Sequence, residues 1–173
     1  MIEILRMRRS SRVFLNKPIS SMHFDIIKES LLRAPTSKNN RPCEFIFVDS
    51  KNLLKKLSEA KSHGASFLKD SPLGVVIIAD SNKSDVWVED ASIAAITMQY
   101  VCESLGMGSC WIQIRERFFS DEINSSKYVK ELLDIPDNFE VLAIVAAGYP
   151  VKSKEPVLYE TLLQDKIKTN SYK

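Results

Sequence analysis

Apolar positions along this chain follow a helical and a strand rhythm, and one stretch carries both. It runs from Ser84 to Arg115 as SDVWVEDASIAAITMQYVCESLGMGSCWIQIR. Trp87, Val88, Ala91, Ile93, Ala94, Ala95, Ile96, Met98, Tyr100, Val101, Cys102 and Leu105 leave only a thin polar stripe. A helix of that kind lies at the centre of a domain or in a membrane. Ser92, Thr97 and Gln99 interrupt it, and Glu89, Asp90 and Glu103 flank it. It therefore falls short of the roughly 18–20 apolar residues that a span needs, and a core helix is expected. Gly106-Met107-Gly108 should end it, because glycine takes the left-handed conformation that closes a helix. The apolar run SCWIQI then reads as a strand. A central helix, a glycine turn and a strand ending near Gln113 make this the expected place for a ligand.

The remaining chain is patterned around that unit. Ile2 to Arg8 can form one or two helical turns with Ile2 and Leu5 on one face. Ser20 or Ser21 is a candidate cap for a helix to about Ala34, with Phe24, Ile27 and Leu31 at helical spacing and Pro35 halting it. Thr36 to Pro42 is a polar loop of turn formers. Glu44 to Val48 is a first strand, and Asp49 or Ser50 caps a helix carrying Leu53, Leu54 and Leu57. The segment around His63-Gly64 is loosely patterned. Leu73 to Ala79 is a continuous apolar, β-branched run that suits a strand buried on both faces. A short helix from Tyr128 to Leu133 and a fourth strand from Val141 to Ala147 follow. After Val151, Leu158, Leu162, Leu163 and Ile167 are spaced for a weak amphipathic helix or an arm. Interspersed strands and helices indicate an α+β architecture or a mixed three-layer sheet.

Composition narrows the class. The 173 residues are 45% hydrophobic, enough for one domain spanning 1–173, with 151–173 as a C-terminal arm. Twenty-four basic and 22 acidic residues leave a net charge of +2, which argues against a general nucleic-acid or membrane-surface binder. Cys43, Cys102 and Cys110 form no CxxC pair and are odd in number, so a reducing cytoplasm fits best. His23 and His63 form no ligand-like cluster, so no structural zinc site is expected. The N-terminus lacks the apolar region of a signal peptide.

Several familiar chemistries find no support. No GxGxxG follows a strand, and there is no GxxxxGK[ST]. Neither histidine lies in a recognisable nucleophile context. Glu89 and Asp90 read as favourable charges at a helix N-terminus. Cys102 reads as core packing, and Cys110 as an inert thiol in an apolar strand. A different constellation remains. Arg8, Arg9 and Arg12 surround two serine hydroxyls, and guanidinium forks grip phosphate bidentately. A solvated basic turn would leave the same trace. The loop Pro35-Thr36-Ser37-Lys38-Asn39 offers groups that could bind a polar ring edge, or is simply a loop.

The combination is more informative. Arg8-Arg9-Ser10-Ser11-Arg12-Val13-Phe14 resembles the opening R-R-S-x-R-x-F signature of the nitroreductase family of FMN-dependent oxidoreductases. Residues 34–42, APTSKNNRP, are similar to that family's A-P-S-S-x-N-x-Q-P loop. Residues 106–113, GMGSCWIQ, are similar to its G-L-G-S-C-W-I-G segment, and Gly148-Tyr149-Pro150 to its closing G-Y-P. The motifs occur in the family's order.

The resemblance implies an α+β, three-layer α/β/α fold with a mixed, mainly antiparallel sheet around a central helix. It also implies a homodimer with two shared FMN sites. Arg8 would hold the FMN phosphate, and Arg9 and Ser10 the phosphate and ribityl region. Arg12 would lie near N1 and O2 of the isoalloxazine, where a cation stabilises reduced flavin. Pro35, Thr36, Ser37 and Asn39 would come from the other subunit. Gln113 and Ile114 match positions whose backbone lies against the ring near N5 and O4. Lys152 or Lys154 would add a phosphate cation. No catalytic side chain and no metal are implied: hydride would pass from NAD(P)H through FMN N5 to a nitroaromatic, quinone or similar small acceptor. A flavin-storage or flavin-sensing protein is the alternative, and a flavin-free binder of an anionic partner a third reading. Arg41 stands where the family has Gln, Cys43 where it has an aromatic, and Gln113-Ile114 where Gly-Gly or Glu-Gly is common. Substrate choice is therefore not carried over.

Overall fold

The computed structural model describes residues 1–172. Four strands form one sheet: β1 (Cys43–Val48), β2 (Leu73–Asp80), β3 (Gly108–Gln113) and β4 (Phe139–Gly148), in the order β1-β2-β4-β3. All three ladders are antiparallel. The parallel contribution shrinks to one isolated bridge, Ser10 to Ser109.

Helices cover both faces. On one face lie α2 (Ser21–Leu32) and α4 (Trp87–Ser104), where Ile27, Leu31, Ala91, Ala95 and Met98 pack on Val75, Ile77 and Val145. On the other lie α3 (Lys51–Leu57), a 3-10 turn at Ser66–Asp70 and α5 (Ser125–Leu132). Their Leu54, Leu57, Leu68 and Val129 pack on Val76, Ile78 and Ile144. This double cover explains why every residue of β2 is buried although the sheet is antiparallel. Alternate residues feed two separate apolar layers. α1 (Ile2–Met7) contacts α4.

Local signals account for most boundaries. The Ser20 hydroxyl accepts from the His23 amide at 3.3 Å, and α2 stops three residues before Pro35. α4 closes with the Met107 amide on the Cys102 carbonyl at 2.8 Å and Gly106 at φ 67°, the wrapped-back ending that glycine permits. α5 begins at Ser125 rather than Tyr128, because the Asn124 side chain caps it by accepting from the Lys127 amide at 2.8 Å. The tail forms short 3-10 turns at Tyr159–Thr161 and Gln164–Lys166, and among its described residues no amphipathic helix. Leu158, Leu163 and Ile167 stay exposed along it. No helix among the described residues is long and apolar enough to cross a membrane.

Candidate functional site

β3 is an edge strand, so half of its backbone groups face away from the sheet. Which half is fixed by two bonds. The Ser109 carbonyl points outward and accepts from the Ser11 amide at 3.0 Å. The Ile114 amide points inward and donates to the Leu142 carbonyl at 3.1 Å. Antiparallel alternation then turns Trp111 and Gln113 outward and Cys110 and Ile112 inward.

This separates two residues that the sequence paired. Gln113 presents its backbone to the open edge. Its side-chain amide is held at both ends, accepting from Trp111 Nε1 and donating to the Arg115 carbonyl, each at 2.9 Å. Ile114 is fully buried, and its N–H is already spent on Leu142. Of this pair, only Gln113 turns its backbone N–H and C=O to the open edge.

The basic segment sits at the start of the same edge. Ser10 bridges Ser109, and Ser11 packs so closely over Gly108 that a Cβ there would come within 2.6 Å of the serine side chain. Arg8 follows α1 and lies near Glu103 in the last turn of α4; burial raises the Glu103 carboxyl pKa, and Arg8 opposes that rise. Arg9 donates to the Glu155 carbonyl, and Lys154 Nζ donates to the Ser10 carbonyl at 2.7 Å. Arg12 lies over the Phe67 ring, 5.9 Å from its centroid. A groove of about 670 Å³ runs along this segment, lined by Arg9, Arg12, Lys152 and Lys154 among others. Among the described residues, none of these four cations has a carboxylate within 4.0 Å. Glu155 also lines the groove, and four cations against one carboxylate leave an excess of positive charge, which is chemistry for an anion.

Pro35, Thr36, Ser37 and Asn39 lie elsewhere. Their loop includes a 3-10 turn at Ser37–Asn39, with Lys38, Asn39 and Arg41 at positive φ. Arg41 donates from its backbone to the Thr36 hydroxyl at 3.1 Å and from Nε to Asn39 Oδ1 at 2.9 Å. The Ser37 amide donates to Asp90 Oδ1 at 2.7 Å, and the Ser84 hydroxyl to Asp90 Oδ2 at 2.8 Å. The loop is thus moored to the first turn of α4, whereas Arg8 is near the last. Asp90 and Glu103 are 13 positions apart on that helix, about 20 Å at 1.5 Å per residue.

Asp90 is the residue that the sequence pattern concealed. It is buried and acts as an acceptor for two other segments, beyond the favourable helix-end charge expected of it. No spacing rule links it to Ser37, 53 positions away. Its neighbour Cys43 has a thiol pushed up to about 12, chiefly by burial and then by the Asp90 carboxylate.

Comparison with known proteins identifies the family and the fold. The family model described as Nitroreductase family matches residues 5–66 and 59–149. A protein of Archaeoglobus fulgidus, provisionally named an NADH dehydrogenase/NAD(P)H nitroreductase, is 35% identical over 158 residues, covering 89% of this chain and 87% of its own. An FMN reductase [NAD(P)H] of Bacillus subtilis is 26% identical over 180 residues, covering 91% of this chain and 69% of its own. The solved structure of an FMN-dependent nitroreductase from Clostridium difficile R20291 superposes with a TM-score of 0.97, at 42% identity and with 99% of both chains covered.

Proposed function

The chain belongs to the nitroreductase family, and we propose on that premise that it is an FMN-dependent oxidoreductase taking hydride from NAD(P)H. Its acceptor is proposed to be a nitroaromatic, a quinone or a similar small molecule. The observation that carries the reading is the groove beside the open edge of β3, where Arg9, Arg12, Lys152 and Lys154 outnumber a single carboxylate, Glu155. The donor set fits a mononucleotide: Arg8, Arg9 and Lys154 would hold the phosphate, with Ser10 beside them. Arg12 would face the ring's N1 and O2 end, and the outward Gln113 backbone would meet its other edge. Bound FMN would supply hydride acceptance and donation, and the protein would supply position and charge.

A homodimer completes the proposed site. Ile93 on α4 is 39% exposed, and Ile96 and Tyr100 beside it are half-buried, forming an apolar stripe along the helix. Two-fold pairing of α4 helices in antiparallel sense would set the loop at Pro35, Thr36, Ser37 and Asn39 of one copy beside Arg8–Arg12 of the other. The unpaired cysteines Cys43, Cys102 and Cys110 suit a reducing cytoplasm.

Acceptor-dependent turnover tests the activity. Protein loaded with FMN should consume NADH or NADPH in proportion to added quinone or nitroaromatic. Consumption no faster than with free FMN alone contradicts the proposal.

A further inference from the structure

The moored loop carries a consequence for how the site is built. Lys38, Asn39 and Arg41 take φ values of 50°, 56° and 48°, a conformation that side chains other than glycine seldom adopt. Three such residues in four positions persist only where surrounding contacts over-determine them. Two of the holding contacts are internal to the loop, from Arg41 to Thr36 and Asn39. Two contacts tie it to the rest of the fold: at its end the Pro42 carbonyl accepts from the Asp80 amide at 3.0 Å, and within the strained turn the Ser37 amide donates to Asp90.

Asp90 is suited to that task. It is 2% exposed, it sits in the first turn of a helix packed against the sheet, and its second oxygen is fixed by Ser84. Both oxygens therefore have a donor, and the carboxylate cannot swing away from Ser37 without leaving Ser84 unpartnered. A buried acceptor held by two donors is a rigid anchor. A short polar loop without such an anchor samples many shapes, and each lost shape counts against ligand binding.

We propose that Asp90 is a positioning residue for the cofactor: it holds the Thr36–Asn39 loop in its strained form, ready for a flavin bound by the neighbouring copy. This rests on the FMN reading above. Asp90 itself touches no cofactor atom in this scheme. It acts through Ser37.

The experiment is FMN titration of the full-length apoprotein, followed by quenching of flavin fluorescence, with unfolding midpoints of the same samples. Asp90→Ala should raise the FMN Kd at least tenfold. Asp90→Asn keeps an acceptor for Ser37 and an amide donor for the Ser84 hydroxyl, so it should stay within about threefold of the parent. Ser84→Ala frees one oxygen and should weaken binding about threefold without loss of fold. Rescue by asparagine separates positioning through a hydrogen bond from a need for charge. If Asp90→Ala does not fold, Ser84→Ala decides: weaker binding supports the inference, and unchanged binding overturns it. Parent-like affinity in a folded Asp90→Ala overturns it as well. A parent protein that takes up no FMN overturns the functional reading too, whereas a parent that binds beside unaltered variants overturns this inference alone.

Discussion

Lys154 donates its ammonium to the Ser10 carbonyl across 2.7 Å, which brings residues 144 positions apart into one groove. The tail after Pro150 is thereby part of the basic segment's surroundings, and Arg9 adds a second tie through the Glu155 carbonyl. Both cations spend only part of their donor capacity on these carbonyls. Both residues line the groove.

Arg8→Ala should weaken FMN binding by about 1.5–3 kcal/mol, the range for a hydrogen bond to a charged group, or roughly 10- to 100-fold. Lys154→Ala should weaken it less, since its ammonium is shared with Ser10. Equilibrium titration with FMN, and with riboflavin as the phosphate-free control, checks both. Unchanged FMN affinity in Arg8→Ala would remove the phosphate assignment.

Gly108→Ala should destabilise the fold and detach the basic segment. The new Cβ would lie 2.6 Å from Ser11 and 3.3 Å from Pro150. Overpacking of this kind costs about 1–3 kcal/mol. Denaturant unfolding should show a lower midpoint. Pairing Gly108→Ala with Ser11→Gly should recover much of the loss, because the nearest obstructing atoms belong to that side chain.

Ile93→Lys tests the two-fold pairing. A charge in the apolar stripe of α4 should convert a dimer to a monomer in light scattering, and FMN affinity should fall with it. A monomeric variant that keeps full FMN affinity would show that the site needs one chain only.

Asp80 ends β2 with a carboxylate held below its ordinary value of 3.8. The Asn82 backbone bond is the largest cause; burial opposes it, and Asn138 and Lys83 add to it. The pKa is depressed on folding, so the stabilisation is present above the unfolded value and lost as pH falls through the folded one. Unfolding midpoints should therefore drop below about pH 4, and Asp80→Asn should flatten that acid limb. Parallel acid profiles for the two proteins would contradict the linkage.

Periodicity made α4, β2 and β4 legible because each buries a long apolar run, and the ending at Gly106 followed from backbone freedom. The basic segment and the polar loop were visible as motifs. Their separation to opposite ends of α4 was not, because it depends on the sheet order β1-β2-β4-β3. The choice between Gln113 and Ile114 was equally hidden. Neighbouring residues on a strand differ in which way their amides point, and only the bonds from Ser11 and to Leu142 set that phase. Asp90 reads as helix-end charge in the sequence because the partner that gives it a second role, Ser37, is 53 positions away. The Ser66–Asp70 turn carried no clear period, yet its Leu68 is fully buried.

The most direct test of the central claim is the visible spectrum of the purified protein with FMN, recorded anaerobically before and after NADH or NADPH. The expected result is a bound flavin spectrum that survives gel filtration and bleaches faster than free FMN under the same conditions. A colourless protein after filtration, or bound flavin bleached by neither dinucleotide, would contradict it.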